Sequence, residues 1–198
     1  AALIAWWLTT PVTGSIARIS VLSNPIGVEG ATALIDVYEK NKNLRTLLGI
    51  EEGVTELNLA EKQVDLGQAM VLAKELQIGR ATGSINSLTV DSTGDTKNRR
   101  GDWSNGGPKT YTLAAGETSI DLSQKNLGSA DVTLLAAWVQ RPNVIGSIIS
   151  LTVDSTGDMN IQKTYTLTVG DETIDLSRNN LGSADITLLA TWIRRPEV

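Results

Sequence analysis

The chain has 198 residues, 41% of them hydrophobic, and a net charge of −5 from 17 basic and 22 acidic side chains. That size and apolar content suit one full-sized domain or one repeat array. The mild acidity, without charge runs, offers no attraction for nucleic-acid phosphates. Cys, His and Phe are absent. Disulfides, thiolate nucleophiles, imidazole or thiolate metal sites, and Ser–His–Asp or Cys–His catalysis are therefore excluded.

From the start of the chain, the apolar run 1–8 is too short to cross a membrane. It also lacks the basic flank of a signal peptide. Its Trp7–Pro11 spacing returns as Trp138–Pro142 and Trp192–Pro196, so residues 1–12 read as a partial repeat helix and the chain as one that begins inside a repeat. GSIARISVLSNPIG follows, parallel to the later GSIISLTVDS, and residues 47–76 parallel 164–193. The strongest self-similarity lies further on. Residues 83–95, GSINSLTVDSTGD, return as 146–158 with only Asn86 and Ile149 differing, and 110–144 matches 164–198 at 23 of 35 positions. The offset falls from 63 to 54, which places nine extra residues of the first copy within 96–109. Composite units of about 14–82, 83–145 and 146–198 result, forming one array over 1–198.

Each unit reads as strand, turn, helix. Ile19–Val21, Leu57–Leu59, Leu88–Val90, Ile120–Leu122, Leu151–Val153 and Ile174–Leu176 alternate apolar and polar residues, as half-buried strands do. In 130–139, Ala130, Leu134 and Trp138 fall on one helical face. Ser129 and Ser183 are placed as N-caps, with Asp131 and Asp185 in the first turn. Pro142 and Pro196 close these helices. After the Leu88 and Leu151 strands the expected helix is missing, and Lys109–Leu113 and Lys163–Leu167 read as extended segments on the outer side.

The segment IDLSRNNLGSADITLLATWI (174–193) resembles the ribonuclease-inhibitor-like class of leucine-rich repeats, whose pattern runs LxLxxNxLGxxGxxxLAxxL. Asn24 and Asn179 stand at the asparagine position, whereas Lys62, Lys125, Thr93 and Thr156 depart from it. The resemblance implies an α/β solenoid with a curved parallel sheet, and helices and extended segments on the convex side. It also implies a non-catalytic protein–protein interaction or scaffolding segment, either a structural subunit or a recognition module in a larger assembly. The strand-face positions Ser20, Asn58, Thr89, Asp121, Thr152 and Asp175 are then the partner-binding candidates. Some proteins of this class regulate small GTPases through an arginine, a further reading in which no residue here is singled out.

The DSTGD turns offer Asp91, Asp95, Asp154 and Asp158 as calcium candidates, since that ion wants several carboxylate and carbonyl oxygens. Asp and Gly are also what any tight turn uses, and the turn reading is preferred. No other metal and no cofactor is expected. The insertion carries Arg100-Gly101-Asp102, an adhesion-like triplet that supports an alternative role as an extracellular module. With neither Cys nor an Asn-x-Ser/Thr site in the chain, an intracellular or organellar setting is favoured over secretion. Trp103, an aromatic on a polar Gly-rich loop expected to be exposed and mobile, is a further contact candidate. The partner expected is a protein, with no nucleic acid and no transmembrane segment.

Overall fold

The computed structural model describes residues 2–10 and 14–196; residues 1, 11–13 and 197–198, including Pro11 of the first Trp–Pro spacing, lie outside the described residues. In chain order the elements are α1 (Ala2–Leu8), α2 (Gly27–Lys40), β1 (Glu56–Asn58), α3 (Leu66–Ile78), β2 (Ser87–Asp91), β3 (Thr110–Ala114), β4 (Ser119–Asp121), α4 (Ser129–Val139), β5 (Ser150–Asp154), β6 (Thr164–Thr168) and α5 (Ser183–Ile193). The helices pack side by side in that order, each on the next.

The expected leucine-rich-repeat solenoid with one curved parallel sheet does not form. Among the described residues the fold is mixed α/β, with five helices and two separate three-stranded sheets, β1-β2-β3 and β4-β5-β6. β1–β2 and β4–β5 are parallel, but β2–β3 and β5–β6 are antiparallel. The physical reason is connection length. A parallel partner needs a crossover of a dozen residues or more, and only residues 155–163 separate β5 from β6. The chain therefore turns back on itself, and the segments expected on the outer side become sheet edges. Leu113 lies opposite Leu88 and Tyr111 opposite Val90; Leu167 and Tyr165 repeat this against Leu151 and Val153.

Two expected strands also fail to form. Residues 18–20 make only isolated bridges to Thr46 and Leu48. Residues 174–176 repeat the Ile-Asp-Leu of 120–122, which begins within β4, but remain irregular, because β4 owes its strand to pairing with the β5 that follows it. The alternating pattern still sorts the side chains. Leu88, Val90, Tyr111, Leu113, Ile120, Leu151, Val153, Tyr165 and Leu167 are buried, with Leu134, Trp138, Leu188 and Trp192 from the helices. Each such aliphatic side chain contributes about 1.5–3 kcal/mol.

A buried carboxylate joins sheet to helix in both copies. Asp131 accepts hydrogen bonds from the Thr93 amide (2.8 Å) and hydroxyl (2.8 Å), the Gly128 amide (2.8 Å) and the Tyr111 hydroxyl (2.9 Å). Asp185 accepts the same four from Thr156, Gly182 and Tyr165, at 2.7–3.0 Å. The helices thus start from Gly128 and Gly182 rather than from a serine side-chain cap. Burial pushes the Asp131 carboxyl up, against the pull of its four donors, and pushes the Tyr111 hydroxyl up beside it.

At the opposite helix ends an arginine does the equivalent work. Arg141 lies over the Trp138 ring and donates to the carbonyls of Thr82, Gly83 and Ile85. Arg195 lies over Trp192 and donates to the carbonyls of Ile145 and Ile148. Arg80, over Tyr38, takes the carbonyls of Tyr38, Asn41 and Leu44. Trp138 and Trp192 are fully buried, whereas Trp7 at the matching position of α1 is 43% exposed.

Glu75 of α3 is also buried. It accepts from the Thr46 hydroxyl and the amides of Leu47 and Leu48, yet burial pushes its carboxyl up to about 7.

Asp131→Ala strands the Tyr111 hydroxyl and three other donors and should cost about 3 kcal/mol, whereas Tyr111→Phe should cost about 1 kcal/mol; urea unfolding midpoints measure both. For Glu75, a folded-state value of about 7 against an ordinary 4.5 means that folding takes up a proton. That stability is complete below about pH 4.5 and is lost as pH rises through 7, by about 3 kcal/mol in all. Melting temperature should therefore fall between pH 5 and 8 more steeply in the wild type than in Glu75→Gln, and equal slopes would refute the assignment.

Candidate binding cleft

The two DSTGD turns explain themselves residue by residue. Asp91 accepts from the Glu61 amide (2.6 Å) and the Thr110 hydroxyl (2.6 Å); Asp154 accepts from the Gln124 amide (2.5 Å) and the Thr164 hydroxyl (2.6 Å). These bonds hold Glu61 and Gln124 in left-handed backbone, at φ 63° and 59°. Ser92 and Ser155 accept from the amides of Lys109 and Lys163, which closes each β-return. Thr93 and Thr156 feed the buried aspartates. A Cβ at Gly94 would run into the carbonyls of Asn126 and Leu127, and one at Gly157 into that of Asn180.

The last aspartates of the two turns diverge. Asp158 accepts from the amide and side chain of Asn160 and so caps a short 3-10 turn. Asp95 is buried and organises the insertion, accepting from the amides of Thr96, Asn105 and Gly107. Asn126 then donates its side-chain amide to the carbonyls of Asn105 and Gly107. The loop expected to be mobile is thus densely hydrogen-bonded around the buried Asp95 carboxylate. At the tip, Asn98 accepts from the amides of Arg100 and Asp102 and donates to the Asp102 carboxylate (3.3 Å). The Arg-Gly-Asp triplet is exposed there.

The folded insertion walls a cleft of about 620 Å³. The rest of its lining comes from the entry to α3 (Val64, Asp65, Leu66), from Glu61, from the first DSTGD turn and from the start of α4 (Ser129, Ala130). Trp103 lines it at 42% exposure, its ring carrying Lys97 at 4.9 Å and packing on Gly107. Glu61, Asp65, Asp91 and Asp95 are the acidic members, against the single ammonium of Lys97. The lining therefore combines apolar side chains (Trp103, Val64, Leu66 and Ala130) with more acidic than basic groups.

The strand-face candidates lie elsewhere and have internal partners. Asn58, Asp121 and Asp175 each accept from the amide two residues on, in Ala60, Ser123 and Ser177. Those bonds hold the Asp121 and Asp175 carboxyls below their ordinary range. Thr89 meets Thr112 (2.8 Å) and Thr152 meets Thr166 (2.9 Å) across the antiparallel pairs, and Ser20 donates to the Leu48 carbonyl. The cleft brings together Trp103, Asp91 and Asp95 from the residues singled out in the sequence, but not Ser20, Asn58, Thr89, Asp121, Thr152 or Asp175. Glu61 and Leu66 also line it, and no local motif marks them in the sequence.

Among the described residues no three acidic side chains converge as a metal site, and no helix is long and apolar enough to cross a membrane. Compared with known proteins, the chain matches no family model, no curated protein and no solved structure.

In both turns these carboxylates accept hydrogen bonds from amides and hydroxyls, donors that compete with a cation for the same oxygens. Melting curves in calcium and in chelator should coincide, for the wild type and for Asp95→Asn/Asp158→Asn alike. A calcium-dependent rise lost in the double variant would overturn this reading.

Proposed function

We propose that this chain is a non-catalytic recognition and scaffolding segment, and that a partner protein docks in the cleft beside the insertion. One observation carries the reading: of two near-identical copies, only the first has nine extra residues, and these fold into an anchored wall that presents a tryptophan. An aromatic held in place beforehand costs little ordering on binding, which is what makes such residues dominant contacts. The acidic excess of the lining favours a basic segment, and Val64, Leu66 and Ala130 favour an apolar neighbour beside it. The partner that fits is an extended peptide segment with a bulky apolar side chain flanked by Lys or Arg.

Panning a displayed random-peptide library on the intact chain tests this. Selected peptides should carry that apolar–basic pairing, lose about thirtyfold or more in affinity with Trp103→Ala, and weaken with salt and with Glu61→Lys. Binders indifferent to both substitutions would remove the cleft as the site. Binders that depend on Arg100 and Asp102 instead would favour the adhesion triplet.

A further inference from the structure

An asparagine followed by glycine can close on itself without a catalyst. The glycine nitrogen attacks the side-chain amide carbon, and no β-carbon stands in its way. Asn105-Gly106 is the only such pair in the sequence, and it lies in the insertion that the second copy lacks. Both residues are exposed. Among the described residues, no hydrogen bond reaches the Asn105 side chain or the Gly106 amide. The reacting carbon and the attacking nitrogen are both free.

The other asparagines are worse placed. Asn86 comes next in steric ease, because serine is the smallest residue to follow any of them. Its side chain, however, accepts from Asn143, and the Ser87 amide donates to the Thr55 carbonyl. At the tip of the insertion, the Asn98 side chain accepts from the amides of Arg100 and Asp102.

The backbone around Asn105 is also where the insertion is tied down. The amides of Asn105 and Gly107 donate to Asp95, and the Asn105 carbonyl accepts from Asn126. The Trp103 ring packs on Gly107. Gly106 links the two clamped amides in left-handed backbone, at φ 87°.

We propose that Asn105 is a site of spontaneous deamidation, and that its conversion to isoaspartate unfastens the wall carrying Trp103. The Gly106 nitrogen bonds to Cγ of Asn105, and ammonia leaves with the proton which that nitrogen gave up. Water then opens the resulting ring at either carbonyl. Attack at Cγ yields aspartate on an unchanged backbone. Attack at the main-chain carbonyl carbon routes the backbone through Cβ and Cγ, which adds one methylene between the two clamped amides. The carbonyl that Asn126 held becomes part of a free carboxylate, and Asp95 no longer spans both amides. This holds whatever occupies the cleft.

Ageing the intact chain in mildly alkaline buffer, with peptide mapping that separates aspartate from isoaspartate, tests the chemistry. Asn105 should convert about tenfold faster than Asn86 or more, and faster as pH rises, because the attacking nitrogen must lose its proton. Hydrogen exchange tests the consequence. It should quicken over 96–108 in the aged chain while 155–163 of the second copy stays as protected as before. Asn105→Gln, which would have to close a larger ring, should keep both its amide and its slow exchange. Asn105→Asp, which adds the charge without lengthening the backbone, should start as protected as the fresh wild type. Asn105 intact after ageing, or outpaced by another asparagine, overturns the proposal. So does isoaspartate in an insertion as protected as before, or equal loosening in Asn105→Gln. Loosening in fresh Asn105→Asp would assign the effect to charge and overturn the backbone route.

Discussion

The buried carboxylates of Asp131 and Asp185 are the constraint on which the repeated unit depends. An aspartate in a helix's first turn would ordinarily face water and lend a little charge to the positive helix end. Here each sits in the core, takes four hydrogen bonds, and reaches three separate pieces of chain: the turn after β2 or β5, the edge strand β3 or β6, and the residue before its own helix. Desolvating such a group is costly unless every lone pair is used. That condition explains why tyrosine, threonine, glycine and aspartate recur together in both copies. Substituting one member leaves the others buried without their partner, so the set persists or fails as a unit. In α3 the position is taken by Gln68, which caps Asp65 and donates to the carbonyls of Val21 and Asn24. An amide there spans the same gap with donors in place of acceptors.

Much of this was legible in the sequence, and what was missed has a physical cause. The duplication, the nine-residue insertion and the inward ladder of Leu88, Val90, Ile120, Leu151 and Val153 follow from residue order alone, because side-chain alternation does not depend on what a strand pairs with. Strand direction does depend on it. Tyr111 and Leu113 alternate as well as any parallel strand would, and only the short return of the second copy signals an antiparallel edge. Residues 174–176 teach the converse. Their sequence is that of 120–122, which begins within β4, but a strand is a relation between two segments, and here the second is missing. The resemblance to leucine-rich repeats lies in the spacing of apolar residues together with the asparagine and glycine of the turn, and that pattern does not say whether the next extended segment pairs parallel or antiparallel.

The cleft was only half visible. Trp103 announced itself as an aromatic in a polar loop, and the DSTGD carboxylates as possible ligands. Their actual partners are backbone amides up to 30 residues away in sequence, such as Glu61 for Asp91. No motif encodes such pairings. What could have exposed them is the identity of the two turns themselves: a pentapeptide retained whole, where surface loops usually drift, signals that every side chain in it is engaged.

The arginines over their aromatic rings give the molecule a direction. Arg80, Arg141 and Arg195 each satisfy carbonyls that belong to chain well before them, around residues 38–44, 82–85 and 145–148. Support therefore runs backward along the sequence, every later helix completing the hydrogen bonding of an earlier turn. A chain emerging from the ribosome must hold those carbonyls open until the corresponding arginine has been made. Each unit is thus finished one step behind synthesis, and a nascent chain stopped short ends in a turn whose acceptors are still waiting.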